Sequence, residues 1–151
     1  MNSSAGFSLV ELMIVVAILS VLSLGATLAI GMRDRNAGSD ATVLRQTYIA
    51  LRDEAILSKA PRALEISDRS LTRMTRSAEG EWQAEGHEIS LDGTAFATRG
   101  YGAETTSAGD LRVVLLTDGR SSAFEVRLSQ GKNLWHCAAD GWGTLTCDAS
   151  R

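Results

Sequence analysis

GFSLVELMIVVAILSVLSLGATLAIGM, residues 6–32, is an apolar run broken by a single charge, Glu11. From Leu12 to Met32 there are 21 residues without a charge. A helix of that length, at about 1.5 Å per residue, spans roughly 30 Å, the hydrocarbon thickness of a bilayer. The run predicts a membrane-spanning helix over 7–32 behind the short leader MNSSAG, residues 1–6. A carboxylate near the middle of such a helix costs about 2.5–3.5 kcal/mol on insertion scales, so Glu11 calls for a partner. The competing explanation is a secretory signal peptide, which needs a basic start, an apolar core of roughly 7–15 residues and a small-x-small cleavage site. Here the leader has no Lys or Arg, the run is longer, and Glu11 would sit inside the core.

The stretch Gly6-Phe7-Ser8-Leu9-Val10-Glu11-Leu12-Met13 resembles the class III leader of type IV pilins and of the pseudopilins of type II secretion. The resemblance implies that a prepilin peptidase cuts after Gly6, that the new terminal residue Phe7 is N-methylated, and that Glu11 helps recruit the subunit into a filament. A neighbour's terminal ammonium can neutralise the buried carboxylate, because an ion pair inside lipid costs far less than either charge alone. Family leaders usually bear a basic residue, and this one departs from that pattern. Arg33 and Arg35, offset by Asp34, would by themselves favour the opposite orientation. A single pass of the bacterial inner membrane, with the C-terminal domain in the periplasm, is therefore expected from the resemblance. So are the partners: prepilin peptidase, other pseudopilins of the same filament, and inner-membrane lipid.

Residues 33–151 are enough for one compact domain with its own core and too few for two. A formal charge of −3 and a pI near 5.4 provide no electrostatic footprint for nucleic acid. Within 33–41 Gly38 is expected to break an otherwise helical stretch. Leu44, Tyr48, Leu51, Ala55 and Ile56 then recur at three- and four-residue steps, predicting an amphipathic helix with its stripe on a sheet. Ser58-Lys59-Ala60-Pro61 ends it, since the only proline disfavours helix at the residue before it.

Short segments follow that read as strands: 63–67, 71–76, 81–84, 87–91, 111–117, 123–129, 134–138 and 143–147. Asp92-Gly93, Asp118-Gly119 and Asp140-Gly141 are expected to supply the positive φ of tight hairpin turns. The strongest of these lies between Val113-Val114-Leu115-Leu116, read as buried on both faces, and the alternating Phe124-Glu125-Val126-Arg127-Leu128. Residues 94–110 have no clear period and read as an exposed loop and contact surface. This order, with the late turn Leu-Thr-Asp-Gly-Arg-Ser-Ser at 116–122, resembles the H-type minor pseudopilins of type II secretion, a family shared with the FimT-type minor pilins. The fold class implied is α+β and pilin-like: a long N-terminal helix, half membrane-embedded and half amphipathic, packed on an antiparallel β-sheet domain.

Cys137 and Cys147 flank Asp140-Gly141-Trp142-Gly143, and a hairpin centred on Trp142 would set them opposite each other. That favours a disulfide, worth roughly 3 kcal/mol by chain entropy and suited to an oxidising compartment. Free thiols are the next reading. A metal site from His136, Cys137, Asp140 and Cys147 matches no zinc spacing. Nothing suggests catalysis: there is no Gly-x-Ser-x-Gly, His-Glu-x-x-His or glycine-rich phosphate loop, and His87 and His136 stand alone. No catalytic residue, cofactor or metal is expected. Trp82, Trp135 and Trp142 read as packing or interface residues. Arg62, Arg69, Arg73 and Arg76 read as a solvated strand face with Glu65, Asp68 and Glu79 among them, against the alternative of a basic face. The function expected is that of a minor pseudopilin. A FimT-like minor type IV pilin, in pilus assembly or DNA uptake, is the first alternative, and a secreted soluble binding domain is the second.

Overall fold

The computed structural model describes Leu9, Val10, residues 12–16, Ile18 and residues 37–150. The chain divides into two compact units, Met1–Arg35 and Asn36–Arg151. In the first, the described residues are helical and their apolar side chains lie open, Leu9 at 75% and Val15 at 43% exposure. Among the described residues no helix is long and apolar enough to cross a membrane. Most of the expected 7–32 span, with Gly6, Phe7 and Glu11, lies outside the described residues.

The second unit opens with helix α1 (Ala37–Ser58). Gly38 lies inside this helix and does not break it. At the first turn a glycine forfeits little, and the buried carboxylate of Asp40 anchors that turn to a distant loop. The helix stops where Lys59 adopts φ 55°, a left-handed conformation that ends the helical ladder, with Pro61 just beyond. Leu44, Tyr48, Leu51 and Ala55 are wholly buried along one face, and Ile56 is half-buried beside them. Burying each leucine fully contributes about 1.5–3 kcal/mol, so packing rather than propensity holds the helix.

Among the described residues ten strands follow, all paired antiparallel, in two sheets. One sheet runs β3 (Trp82–Ala84), β2 (Ser70–Arg76), β1 (Arg62–Ile66), β7 (Leu111–Leu115), β6 (Glu104–Thr105), with β4 (Ile89–Ser90) also on β2. The other runs β10 (Leu145–Ser150), β9 (Asn133–Ala139), β8 (Phe124–Gln130), β5 (Thr94–Arg99). Helix α1 packs on strands of both sheets, and its stripe meets Leu64, Ile66, Val113 and Leu115 from the first and Phe124, Val126 and Leu128 from the second. The Tyr48 and Phe124 rings meet at 6.0 Å, tilted by 49°.

Four further expectations require correction, the first being Asp92-Gly93, where neither residue has the positive φ expected of a tight turn. Residues 94–110 are not a loop throughout: β5 pairs with β8 from Thr94↔Ser129 to Arg99↔Phe124, and β6 pairs with β7. The signal in Thr-Ala-Phe-Ala-Thr-Arg is weak because only Ala95 is buried, so the apolar alternation that marks a half-buried strand is missing. The run 113–116 is buried on one face only, with Val113 and Leu115 inside, Val114 half-buried and Leu116 40% exposed. Asp118-Gly119 does not join two neighbours of one sheet, because β7 and β8 belong to different sheets.

Candidate functional site

The motif at 116–122 is where the helix and the two sheets are tied together. The Leu116 N–H donates to the Arg120 carbonyl at 2.8 Å and the Gly119 N–H to the Leu116 carbonyl at 3.1 Å, with Gly119 at φ 86°. Leu115 and Ser121 form a single antiparallel bridge, after which the chain leaves the first sheet for the second. Ser122, buried, makes that crossing possible. Its hydroxyl donates to the Gly102 carbonyl at 2.7 Å and accepts the Val114 N–H at 3.1 Å. Asp118 accepts the Arg120 N–H at 3.1 Å and its Nε at 2.7 Å, and these bonds hold the exposed carboxyl below the usual carboxylate range.

Two side chains of α1 reach this turn. Arg52 Nε donates to the Gly119 carbonyl at 3.1 Å, and the Tyr48 hydroxyl lies 2.7 Å from the Ser121 hydroxyl. Burial raises the Tyr48 phenol above its ordinary value, against the opposing pull of the Ser121 hydrogen bond. Gly143, at φ 89°, abuts the same place: a Cβ there would collide with the Gly119 carbonyl and meet Arg52 Nε at 2.9 Å. At the other end of α1, Asp40 accepts the N–H groups of Asp92 at 3.2 Å and Gly93 at 2.8 Å. Neither Asp40 nor Arg52 stood out in the sequence as a turn anchor. The signals present were an acid in the first helical turn and an Arg one residue beyond the apolar stripe.

Cys137 and Cys147 face each other across β9 and β10 and form a disulfide, with Cα atoms 4.0 Å apart. Asp140-Gly141 turns this hairpin, with Gly141 at φ 93°. Cys137 is buried, and Cys147 packs against the core beside α1, 3.9 Å from the Ala41 carbonyl.

The arginines do not form a free basic face. Arg62 pairs with Glu54 at 2.8 Å and Glu85 at 3.7 Å, and Arg73 pairs with the same two carboxylates at 2.6 and 3.7 Å. Arg76 lies over the Trp82 ring, 5.2 Å from its centroid, and Arg69 is exposed with no ion pair among the described residues. Trp135 packs against the core and Trp142 is 75% exposed. His136 sits at the surface, 3.4 Å from Glu125. Among the described residues no three His, Cys, Asp or Glu side chains converge as a metal cluster requires. Of the sequence-predicted processing and assembly residues, Gly6, Phe7 and Glu11 lie outside the described residues.

Comparison with known proteins gives two findings. Residues 1–27 match the family model of the prokaryotic N-terminal methylation motif. Two solved structures of the minor pseudopilin EpsH from the type 2 secretion system of Vibrio cholerae share the fold. One matches with a TM-score of 0.61 at 22% identity, over 75% of this chain and 96% of that one. The other matches with a TM-score of 0.58 at 22% identity, over 76% and 94%. No curated protein matches the chain in sequence. The α+β pilin-like fold expected from the order of elements is the fold of these structures.

Proposed function

We propose that the chain is an H-type minor pseudopilin of a type II secretion system, a structural subunit of a short periplasmic filament and not an enzyme. The observation that carries this reading is a conjunction: a methylation motif at residues 1–27 in a chain that shares its fold with 96% of the EpsH chain in the solved structure. In this reading prepilin peptidase cleaves after Gly6 and Phe7 is N-methylated. The run 7–32 anchors the subunit in the inner membrane, and the later domain stands in the periplasm, where a Cys137–Cys147 disulfide is at home.

Glu11 then has a defined task. The terminal ammonium of a neighbouring subunit neutralises its carboxylate, removing a burial cost that reaches about 2.5–3.5 kcal/mol at a helix centre and is smaller one turn from the end, and setting the register between subunits. The domain supports a structural role. Its polar side chains tie the helix to the turns, and its arginines are engaged with Glu54, Glu85 and Trp82. That engagement removes most of the basic face a DNA-uptake pilin would need.

The decisive test is tandem mass spectrometry of the N-terminal peptide from membrane-extracted protein, in a wild-type host and in one lacking prepilin peptidase. N-methylated Phe7 at the terminus, lost in the mutant host, is the expected result. A terminus near residues 27–32 would mean an ordinary secreted domain and would remove the filament role.

A further inference from the structure

β5 is an edge strand, paired with β8 on one side only. The direction of its main-chain groups is fixed by two bonds. The Gly100 N–H donates to the Ala123 carbonyl, on the β8 side, whereas the Ala95 N–H turns away from β8 to the Asp68 carbonyl. Alternation along the strand then points the N–H and C=O of Ala97 and Arg99 away from β8 as well. Ala95, Ala97 and Arg99 line a cleft of about 410 Å³ whose far wall includes Thr105, Asp110 and Leu111, at the edge of the other sheet.

Natural edge strands are blunted by proline, lysine, bulges or a covering element. Thr94–Arg99 has neither proline nor lysine, and from Phe96 to Arg99 its side chains are exposed. Ala95 is already held by Asp68, so the free edge runs from Ala97 to Arg99, two steps of about 3.3 Å.

We infer that this cleft receives an extended segment of a partner polypeptide, which adds as a strand along β5. Unpaired main-chain donors and acceptors at alternate residues are complementary to another extended backbone. The cleft carries Asp68 and Asp110 against Arg99, and none of the three has an ion pair among the described residues. The excess carboxylate selects a segment bearing Lys or Arg. This inference goes beyond the pseudopilin reading and does not depend on the leader's processing.

Residue-resolved amide hydrogen exchange of the full chain in detergent micelles tests it. The probe is a short synthetic peptide alternating Val and Thr with a Lys at each end. Binding should slow exchange at Ala97 and Arg99 by about tenfold and leave Phe96 and Thr98, already bonded to β8, unchanged. The same peptide N-methylated at every amide, which leaves neither edge able to pair, should have no effect. Ala97→Pro removes only the outward N–H, a change that edge strands tolerate, and should abolish the response with the β5–β8 ladder intact. If that variant fails to fold, the N-methylated peptide still decides. No protection by the peptide, equal protection by its N-methylated form, or binding to a folded Ala97→Pro variant would each overturn the inference. So would slow exchange at Ala97 and Arg99 without peptide, and a concentration dependence of that protection would identify a second copy as the occupant.

Discussion

Three glycines separate two costs that glycine usually hides together. Gly109 has φ 93° and nothing within 4 Å of a built Cβ. Gly93 lies outside the left-handed region, but a Cβ there would sit 2.5 Å from the Ser129 carbonyl oxygen. Gly143 has both problems: φ 89° and a collision with the Gly119 carbonyl, with Arg52 Nε at 2.9 Å behind it. Replacing Gly109 by Ala should cost only the left-handed conformation, about 1–2 kcal/mol. Gly93→Ala should cost only the contact, about 1–3 kcal/mol by analogy with overpacking, since backbone and not a flexible side chain must give way. Gly143→Ala should combine the two and also push on the Arg52–Gly119 hydrogen bond, giving about 3–5 kcal/mol in all. Urea unfolding of the oxidised 36–151 unit, followed by circular dichroism, measures each loss as a shift in midpoint at constant slope. The ordering is the test. If Gly143→Ala were no worse than Gly109→Ala, the close approach of the β9–β10 turn to the 116–122 turn would carry no energy, and the account of how the two turns lock would fail.

Other changes probe the same framework. Asp40→Ala removes the acceptor of two amides and should cost about 2–4 kcal/mol, with Asp40→Asn losing less because one acceptor oxygen remains; urea midpoints measure both. Reducing the Cys137–Cys147 bridge should lower stability by roughly 3 kcal/mol, read as the difference in unfolding free energy with and without reductant. Tyr48 has a folded-state pKa above its unfolded one, so its contribution is complete below about pH 10 and declines as pH rises toward the folded value. Tyr48→Phe should abolish that alkaline loss, which a pH series of thermal melts would show. Asp118 has the opposite sign: its depressed pKa favours the folded state above about pH 3.9, and the benefit fades as pH falls through the folded value. An NMR titration should find its carboxyl midpoint below that of a free Asp, and moved upward in Arg120→Ala. Glu11→Ala should leave cleavage after Gly6 intact and block incorporation into filaments, read by comparing processed with assembled protein; normal assembly would discard the ion-pair mechanism.

The sequence carried the helix and most of the strands because their signals are local. The stripe through Leu44, Tyr48, Leu51 and Ala55 is a 3.6-residue pattern, and Phe124 to Leu128 alternates as a half-buried strand must. The cysteine register followed from the same logic, since a turn centred between them sets them opposite. What the sequence withheld was partnership at a distance. The alanines and threonines of β5 have no periodic contrast, so its pairing with β8 depends on a neighbour that no local pattern announces. Arg62 and Arg73 read as a strand face, and only the approach of α1 through Glu54 shows that they are neutralised.

The three Asp-Gly pairs show why a dipeptide can be read correctly as a turn and still be assigned the wrong job. Asp140-Gly141 does sit in a hairpin between strands of one sheet, but in a five-residue loop, 140–144, with positive φ at Gly141 and Gly143 and not at Asp140. Asp118-Gly119 has the same positive φ at glycine, yet the bridge ends after Leu115 and Ser121 because Ser122 spends its hydroxyl on Gly102 and Val114, redirecting the chain to the second sheet. Asp92-Gly93 lacks positive φ altogether. Its glycine is needed because Ser129 comes too close for a Cβ, and its amides are claimed by Asp40. The local rule fixes where the chain can turn, while the tertiary contacts of α1 and of the facing strands decide what each turn joins. The same helix that buries the apolar stripe therefore also sets the path of the sheets, through Asp40 at one end and Tyr48 and Arg52 toward the other.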